Sequence, residues 1–297
     1  MSFQVDAAMV QAYKSNIEIQ FQQKGSRLRD KCLVEPQSAE FEFYDRIGPT
    51  EAVEVLSRHG DTPLISTPHD RRRLAMRDFD WADMIDKKDK IRMLADPTSS
   101  YTVNSVYAFG RKLDDVIITS LEGSAWTGKT GSTEVVFKTA TQDIAVNYVE
   151  TGGATNSNLT IGKLRRMRYV FDSQDTIEKG TPICLAITAS QVLSLLRTTE
   201  VTSADYNTVK ALVQGEINTF MGFDFVRIER LRKVSNTRYC LAWPKNAIQV
   251  GMGQDVTVDV GPRRDKRNSI QVYVNTSFGA SRMWEEMVVR VACDESV

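Results

Sequence analysis

The chain has 297 residues, 41% of them apolar and 26% charged, with 38 Lys and Arg against 38 Asp and Glu. That balance describes an ordinary globular protein large enough to bury a sizeable core. It supplies no global field for DNA, RNA or an anionic membrane. No run reaches the ~18 apolar residues of a membrane span, and the opening "MSFQVDAAMVQAYKSN" lacks the basic-then-apolar layout of a signal peptide, so a cytoplasmic origin is the expectation.

Residues 1–40 are rich in Gln, Lys and Ser with only a loose helical rhythm, which predicts an extended or partly helical arm outside the core. From Phe41 the texture turns to short β-like pieces: "FEFYDRI", "EAVEVLS" and "LAMRDFDWADMI", in which Phe79 and Trp81 alternate with Asp78 and Asp80. Between them "RHGDTPLISTPHDRRR" carries Gly60, Pro63 and Pro68 as turn markers. Together these predict a long two-stranded excursion with a polar, mobile tip, marginal on its own and in need of cover from another subunit.

In "YTVNSVYAFGRKLDDVIITSLEG" the residues Val103, Val106, Gly110, Leu113, Ile117 and Leu121 recur at spacings of three and four, which predicts a helix of about twenty residues with one apolar face. β-Branched residues and the turn pair Gly152–Gly153 follow. "TIGKLRRMRYVFDSQ" has Ile161, Leu164, Arg168 and Phe171 at helical spacing, and "TPICLAITASQVLSLLR" opens as a buried strand. A further helix is predicted from an N-cap at Ser203 through Val209, Leu212, Val213, Ile217 and Phe220, ending before Gly222. Strands are expected in "FDFVRIERL", "RYCLAWP", "AIQVGM", "SIQVYVN" and "MVVRVAC". Helices alternating with hairpins make this an α+β protein.

"GSAWTGKT" matches the phosphate-loop pattern, with Gly123, Gly128, Lys129 and Thr130 in place. That chemistry needs a strand before the loop and a helix after it, because the phosphates rest on the helix N-terminus. Here a helix is expected before the motif and the β-like "STEVVFK" after it. The nearest metal-holding acid, Asp172, falls in a helical segment. A surface turn is favoured, and a P-loop nucleotide hydrolase using residues 123–130 is the alternative.

His59 and His69 both lie in the turn-rich tip, at a spacing that fits no common zinc site. Cys32, Cys184, Cys240 and Cys293 are scattered and read as buried small hydrophobes. There is no G-x-S-x-G elbow and no base placed for a Ser or Cys nucleophile. Asp78, Asp80, Asp83 and Asp86 suit the polar face of a strand running into a helix. No catalytic residue, cofactor site or metal site is assigned, and the chain is expected not to be an enzyme.

Basic clusters stand at Arg71–Arg73, at Arg165, Arg166 and Arg168, at Arg227, Arg230, Arg232 and Lys233, and at Arg263, Arg264, Lys266 and Arg267. Each reads first as a solvated face. The sharper reading is ion pairing between neighbouring copies, answered by acidic segments such as "DFDWADMID". Scattered clusters make contact with packaged nucleic acid the weaker third option.

An unpaired arm, a long β excursion, a long helix and a mixed domain that returns through a terminal strand fit a subunit completed by its neighbours. In this the sequence resembles the major capsid proteins of tailed phages, the Hong Kong 97 fold. The resemblance is carried by "AWPKNAIQ", by "FGASRMWEE" with Gly279, by the closing "MVVRVAC", and by "VKALVQGEINTFMGFDFVRIERL". It implies an N-terminal arm at 1–40, an extended loop at 41–95, a peripheral domain at 96–150 and 273–297 with Val103–Leu121 as its spine helix, and an axial domain at 151–272. It further implies self-assembly into pentamers and hexamers of an icosahedral shell enclosing double-stranded DNA by non-specific contact. Portal and scaffold or cement proteins are the other implied partners, with no membrane involved. The implied location is the virion, assembled in the host cytoplasm. Phe79 and Trp81 are expected as excursion contacts, and Arg71, Arg72 and Arg73 as inter-subunit ion pairs.

Overall fold

The computed structural model describes residues 22–54, 61–62, 64–86, 98–150, 152–174, 177–178, 180–197 and 219–296. In chain order they form β1 (Leu33–Pro36), β2 (Phe41–Ile47), β3 (His69–Ala75), β4 (Arg77–Ile85), the helix α1 (Thr98–Glu122), β5 (Ala125–Thr127), β6 (Thr133–Val135), the single turn α2 (Thr139–Gln142) and β7 (Asp143–Ile144). Then come α3 (Ile161–Asp172), β8 (Ile183–Ile187), α4 (Ala189–Leu196), β9 (Thr219–Phe220), β10 (Phe223–Arg227), β11 (Lys233–Val234), β12 (Thr237–Pro244), β13 (Ile248–Arg263), β14 (Ser269–Arg282) and β15 (Val289–Asp294). The architecture is α+β, with sheets in the orders β1–β13–β14–β4, β7–β15–β12–β8–β10–β9 with β11 beside β12, and β2–β3–β5–β6.

Two compact units divide the chain, one of residues 1–26, 78–112 and 254–277, the other of 27–77, 113–253 and 278–297. In the first, Phe109, Val272 and Val274 are buried, and Phe79, Trp81, Tyr101 and Val256 pack against them half-covered. The alternation read in "DFDW" places Phe79 and Trp81 on this core and leaves Asp78 and Asp80 outside, where Ser277 Oγ donates to Asp78 at 2.6 Å and Tyr273 Oη to Asp80 at 2.9 Å. The chain before β1 lies on the helix: Arg111 donates to Gln22 Oε1 at 2.6 Å, and the Gln22 amide donates to Asn104 Oδ1 at 2.7 Å. Gly110 makes this fit possible, since a Cβ there would stand 2.4 Å from the carbonyl carbon of Gly25.

The second unit holds most of the buried apolar side chains. Strand β8, "ICLAI", is buried at every position because it sits inside the large sheet, parallel to β10 and antiparallel to β12. Trp243 on β12 is fully buried, and its indole Nε1 donates to the Lys31 carbonyl at 3.1 Å. Thr160 caps α3 by accepting from the Lys163 N–H, and Gln191 reaches back to the Thr188 N–H ahead of α4. All four cysteines are free thiols in buried positions.

Several expectations are corrected. The excursion is not one hairpin: β2 pairs with β3 and continues into β5 and β6, while β4 joins β14. Residues 51–54 of "EAVEVLS" are not strand, and the partner of β2 is "HDRRRLA", whose Asp and Arg residues mask a strand that half-buries them. Phe220 belongs to a short strand ahead of a positive-φ Gly222, not to a helical stripe; Ser203, Val209, Leu212, Val213 and Ile217 lie outside the described residues, as does His59. In α1 the lower half of the predicted stripe, Leu113, Ile117 and Leu121, is buried, whereas Val103 and Val106 are exposed and Phe109 takes their place in the core.

Candidate functional site

The phosphate-loop pattern is the first candidate, and its geometry is the reverse of what phosphate binding requires. Helix α1 ends at Glu122, residues 125–127 are strand β5, and β6 follows the turn, so no helix N-terminus faces an anion. Gly128 and Gly131 are the left-handed residues of that turn, at φ 91° and 63°. Lys129 borders an open pocket of about 410 Å³ together with Asp45, His69, Asp70 and Arg71. Burial alone would raise the Asp70 pKa, but the Thr127 hydroxyl and Arg46 hold it down to about 2, so the pocket keeps an ionised carboxylate. The nucleotide-hydrolase alternative fails on both counts.

Arg71, Arg72 and Arg73 lie consecutively on β3 and meet three different environments. Arg71 points outward and donates to Asp45 at 2.6 Å, an exposed pair. Arg72 is fully buried, salt-bridged to Glu285, and donates to the Met283 carbonyl at 3.3 Å; its pKa is lowered by burial. Arg46 also reaches Glu285, at 3.7 Å, bonds Asp70 and stacks over the Trp284 ring at 4.9 Å. The expected inter-subunit role therefore does not fit Arg72, whose charge is spent inside its own chain.

Arg73 returns to the outer face. Cross-strand register aligns Phe43, Arg73, Trp126 and Glu134 in one row across β2, β3, β5 and β6. Its guanidinium sits 4.9 Å from the Phe41 ring centroid and 5.3 Å from that of Trp126. Among the described residues Arg73 has no carboxylate partner, and its Nε is buried without an acceptor. Phe41, Phe43, Ile47 and Trp126 are exposed on the same face, at 42%, 39%, 62% and 37%. Gly131 closes the β5–β6 turn onto this row, since a Cβ there would stand 2.6 Å from Arg73 Cδ and 3.0 Å from the Phe43 ring.

Other charges are structural. Buried Arg282 donates to the carbonyls of Leu121 at 2.7 Å and Gly123 at 2.8 Å, satisfying acceptors left open where α1 ends. Buried Lys163 donates to the carbonyls of Val146, Ser157 and Ala292 at 3.0, 2.7 and 2.9 Å. Arg290 grips Asp143 through two bonds of 2.9 and 2.8 Å, and Arg230 and Arg232 pair with Asp115 and Glu122. Among the described residues no group of three or more His, Cys, Asp or Glu could hold a metal ion, and no helix is long and apolar enough to cross a membrane.

Sequence reading placed Phe79 and Trp81 on a strand but took most of β3 for a turn. It missed Trp126, Glu285 and Arg282. Trp126 was hidden inside the phosphate-loop pattern, although an aromatic in the variable part of a supposed phosphate cradle was a usable signal. Glu285 and Arg282 gave none, because their partners are 213 and 161 residues away.

A family model described as phage capsid protein matches residues 5–295. No curated protein matches. Among solved structures, the capsid of Cyanophage P-SCSP1u superposes with a TM-score of 0.75 at 12% identity, covering 97% of this chain and 94% of that one. The capsid of Cyanophage Pam1 gives 0.72 at 12% identity with 97% of both chains covered. The capsid of a native GTA particle gives 0.68 at 13% identity, with 99% of both chains covered.

Proposed function

The chain belongs to the phage capsid protein family, and on that premise we propose that copies of it close into pentamers and hexamers of an icosahedral head around double-stranded DNA. It is a major capsid protein, a structural component of the virion that self-associates. The observation that carries the reading is the family match over residues 5–295. Physically, many weak contacts per subunit add around closed rings, so no single interface need be strong.

In this reading residues 1–40 are the arm, 41–95 the extended loop, 96–150 with 273–297 the peripheral domain, and 151–272 the axial domain. Arg71 and Arg73 meet carboxylates of neighbouring copies while Arg72 holds their strand from inside. Phe79 and Trp81 back the excursion contacts. Portal and scaffold or cement proteins join the shell, DNA is held by non-specific contact, and assembly takes place in the host cytoplasm.

Sedimentation velocity of the purified chain over a range of concentrations, with electron micrographs of the fast fraction, tests this. Rings of five or six subunits or closed shells are expected. A monomer at every concentration, with crowding agent and candidate scaffold added, overturns it.

A further inference from the structure

We propose that the outer face of the β2–β3–β5–β6 sheet is a docking surface for a second copy of the chain, with Arg73 as the anchor that receives a carboxylate from that copy. The inference rests on the capsid reading and adds to it the surface and the residue at its centre.

Three observations converge on this face. First, the row Phe43, Arg73, Trp126 and Glu134 crosses all four strands, and Phe41 and Ile47 extend it along β2. Large apolar side chains stand exposed here on a sheet rather than scattered singly over loops. Second, the Arg73 guanidinium is held between two rings, so little rotamer freedom is lost when it binds. Among the described residues no carboxylate neutralises it. Fixed arginines framed by aromatics are the side chains on which interface energy concentrates. Third, the turn at Gly131 presses on Arg73 and Phe43, so the row is held in place before any partner arrives.

The occupant follows from charge. A cation with no carboxylate partner among the described residues, set in an apolar frame, wants a carboxylate flanked by apolar atoms. The chain itself exposes Asp78, Asp80, Asp83 and Met84 on β4, an edge strand of its sheet, so a second copy brings the complement. A nucleic acid is disfavoured, because Glu134 stands in the same row and the Asp45 carboxylate on the same face.

The test is site-specific photo-cross-linking in particles assembled from the full chain, with benzoylphenylalanine replacing the exposed Glu134. A chain-to-chain adduct that forms in particles and is absent from dilute subunits supports the proposal. An adduct to nucleic acid, or no adduct in intact particles, overturns it. Should that variant fail to fold, Arg73→Gln replaces it, with near-ultraviolet circular dichroism confirming the native fold. Shell formation by Arg73→Gln slowed at least tenfold, with Arg73→Lys between it and the parent, is expected. Equal rates for folded Arg73→Gln and the parent overturn this inference and leave the capsid reading standing. A parent chain that forms neither rings nor shells removes the reading beneath it and this inference together.

Discussion

The two units solve the same problem by opposite means. The larger one has a deep interior: β8 is buried at every position, Arg72 pairs with Glu285, and buried Arg282 and Lys163 donate to backbone carbonyls. Among its described residues the smaller one buries the apolar side chains Ile85, Phe109, Val272 and Val274 and leaves Phe79, Trp81, Tyr101 and Val256 half-covered. The larger unit combines a deep interior with one exposed apolar sheet face, while the smaller has a thin core whose aromatics are only half-covered. The lesson is that costly desolvated charge is confined to the deep interior of the larger unit, while incomplete packing is left on the outer face of its β2–β3–β5–β6 sheet and in the thin core of the smaller unit.

The comparison breaks most sharply at Arg72. Arg72→Ala takes the nearer cation from Glu285, leaving only the longer contact to Arg46, and should cost about 3 kcal/mol in urea unfolding. Arg72→Met combined with Glu285→Leu should recover most of that loss. A cost below 1 kcal/mol for the single change would show that the larger unit does not depend on its buried charge.

Acid titration sharpens the same side. Burial would raise Glu295, but bonds from Arg238 and Lys233, with a weaker one from Gln191, hold it at about 2. Its folded pKa is depressed, so the stabilisation is complete above the unfolded value near 4.3 and is lost as pH falls from there towards 2. About 2 kcal/mol of acid sensitivity is expected after allowance for solvent screening, and Arg238→Gln should remove most of it.

On the other side, Trp81→Ala should cost a free subunit only about 1–2 kcal/mol, because the ring is half-covered and fully buried aromatics lose ~3–5. The loss should be larger when read as dissociation of assembled shells. Equal effects in the two states would erase the distinction between the units. The smallest effect is expected at Lys129→Ala, within about 0.5 kcal/mol of the parent in stability, with unchanged assembly. Isothermal titration with ATP and magnesium, showing no heat for either protein, checks the accompanying absence of nucleotide binding.

What could be read from the residues depended on where their partners lie. The α1 helix was legible because its period is local, and β8 because five consecutive apolar residues have few alternatives. Strand β3 was not, since "HDRRRLA" looks like a turn until Glu285 and Trp126 are brought beside it. The length of β13 was also hidden, because it continues through exposed residues beyond its apolar start, and β14 runs on through the polar "NTS" past the apolar portion that could be read. The Arg73 row needs register across four strands, which no local pattern encodes.

The clamp at Lys163 has a consequence in time. One of the three carbonyls it holds belongs to Ala292 on β15, and Arg290 on the same strand is paired with Asp143, 147 residues earlier. During synthesis the ribosome therefore delivers the acceptor long after the lysine, and the ammonium stays hydrated until the late strand slides between β7 and β12. A chain that stopped short of that strand would lack both the Ala292 acceptor and the strand that joins β7 to β12, leaving Lys163 without one of the three carbonyls it holds in the finished fold.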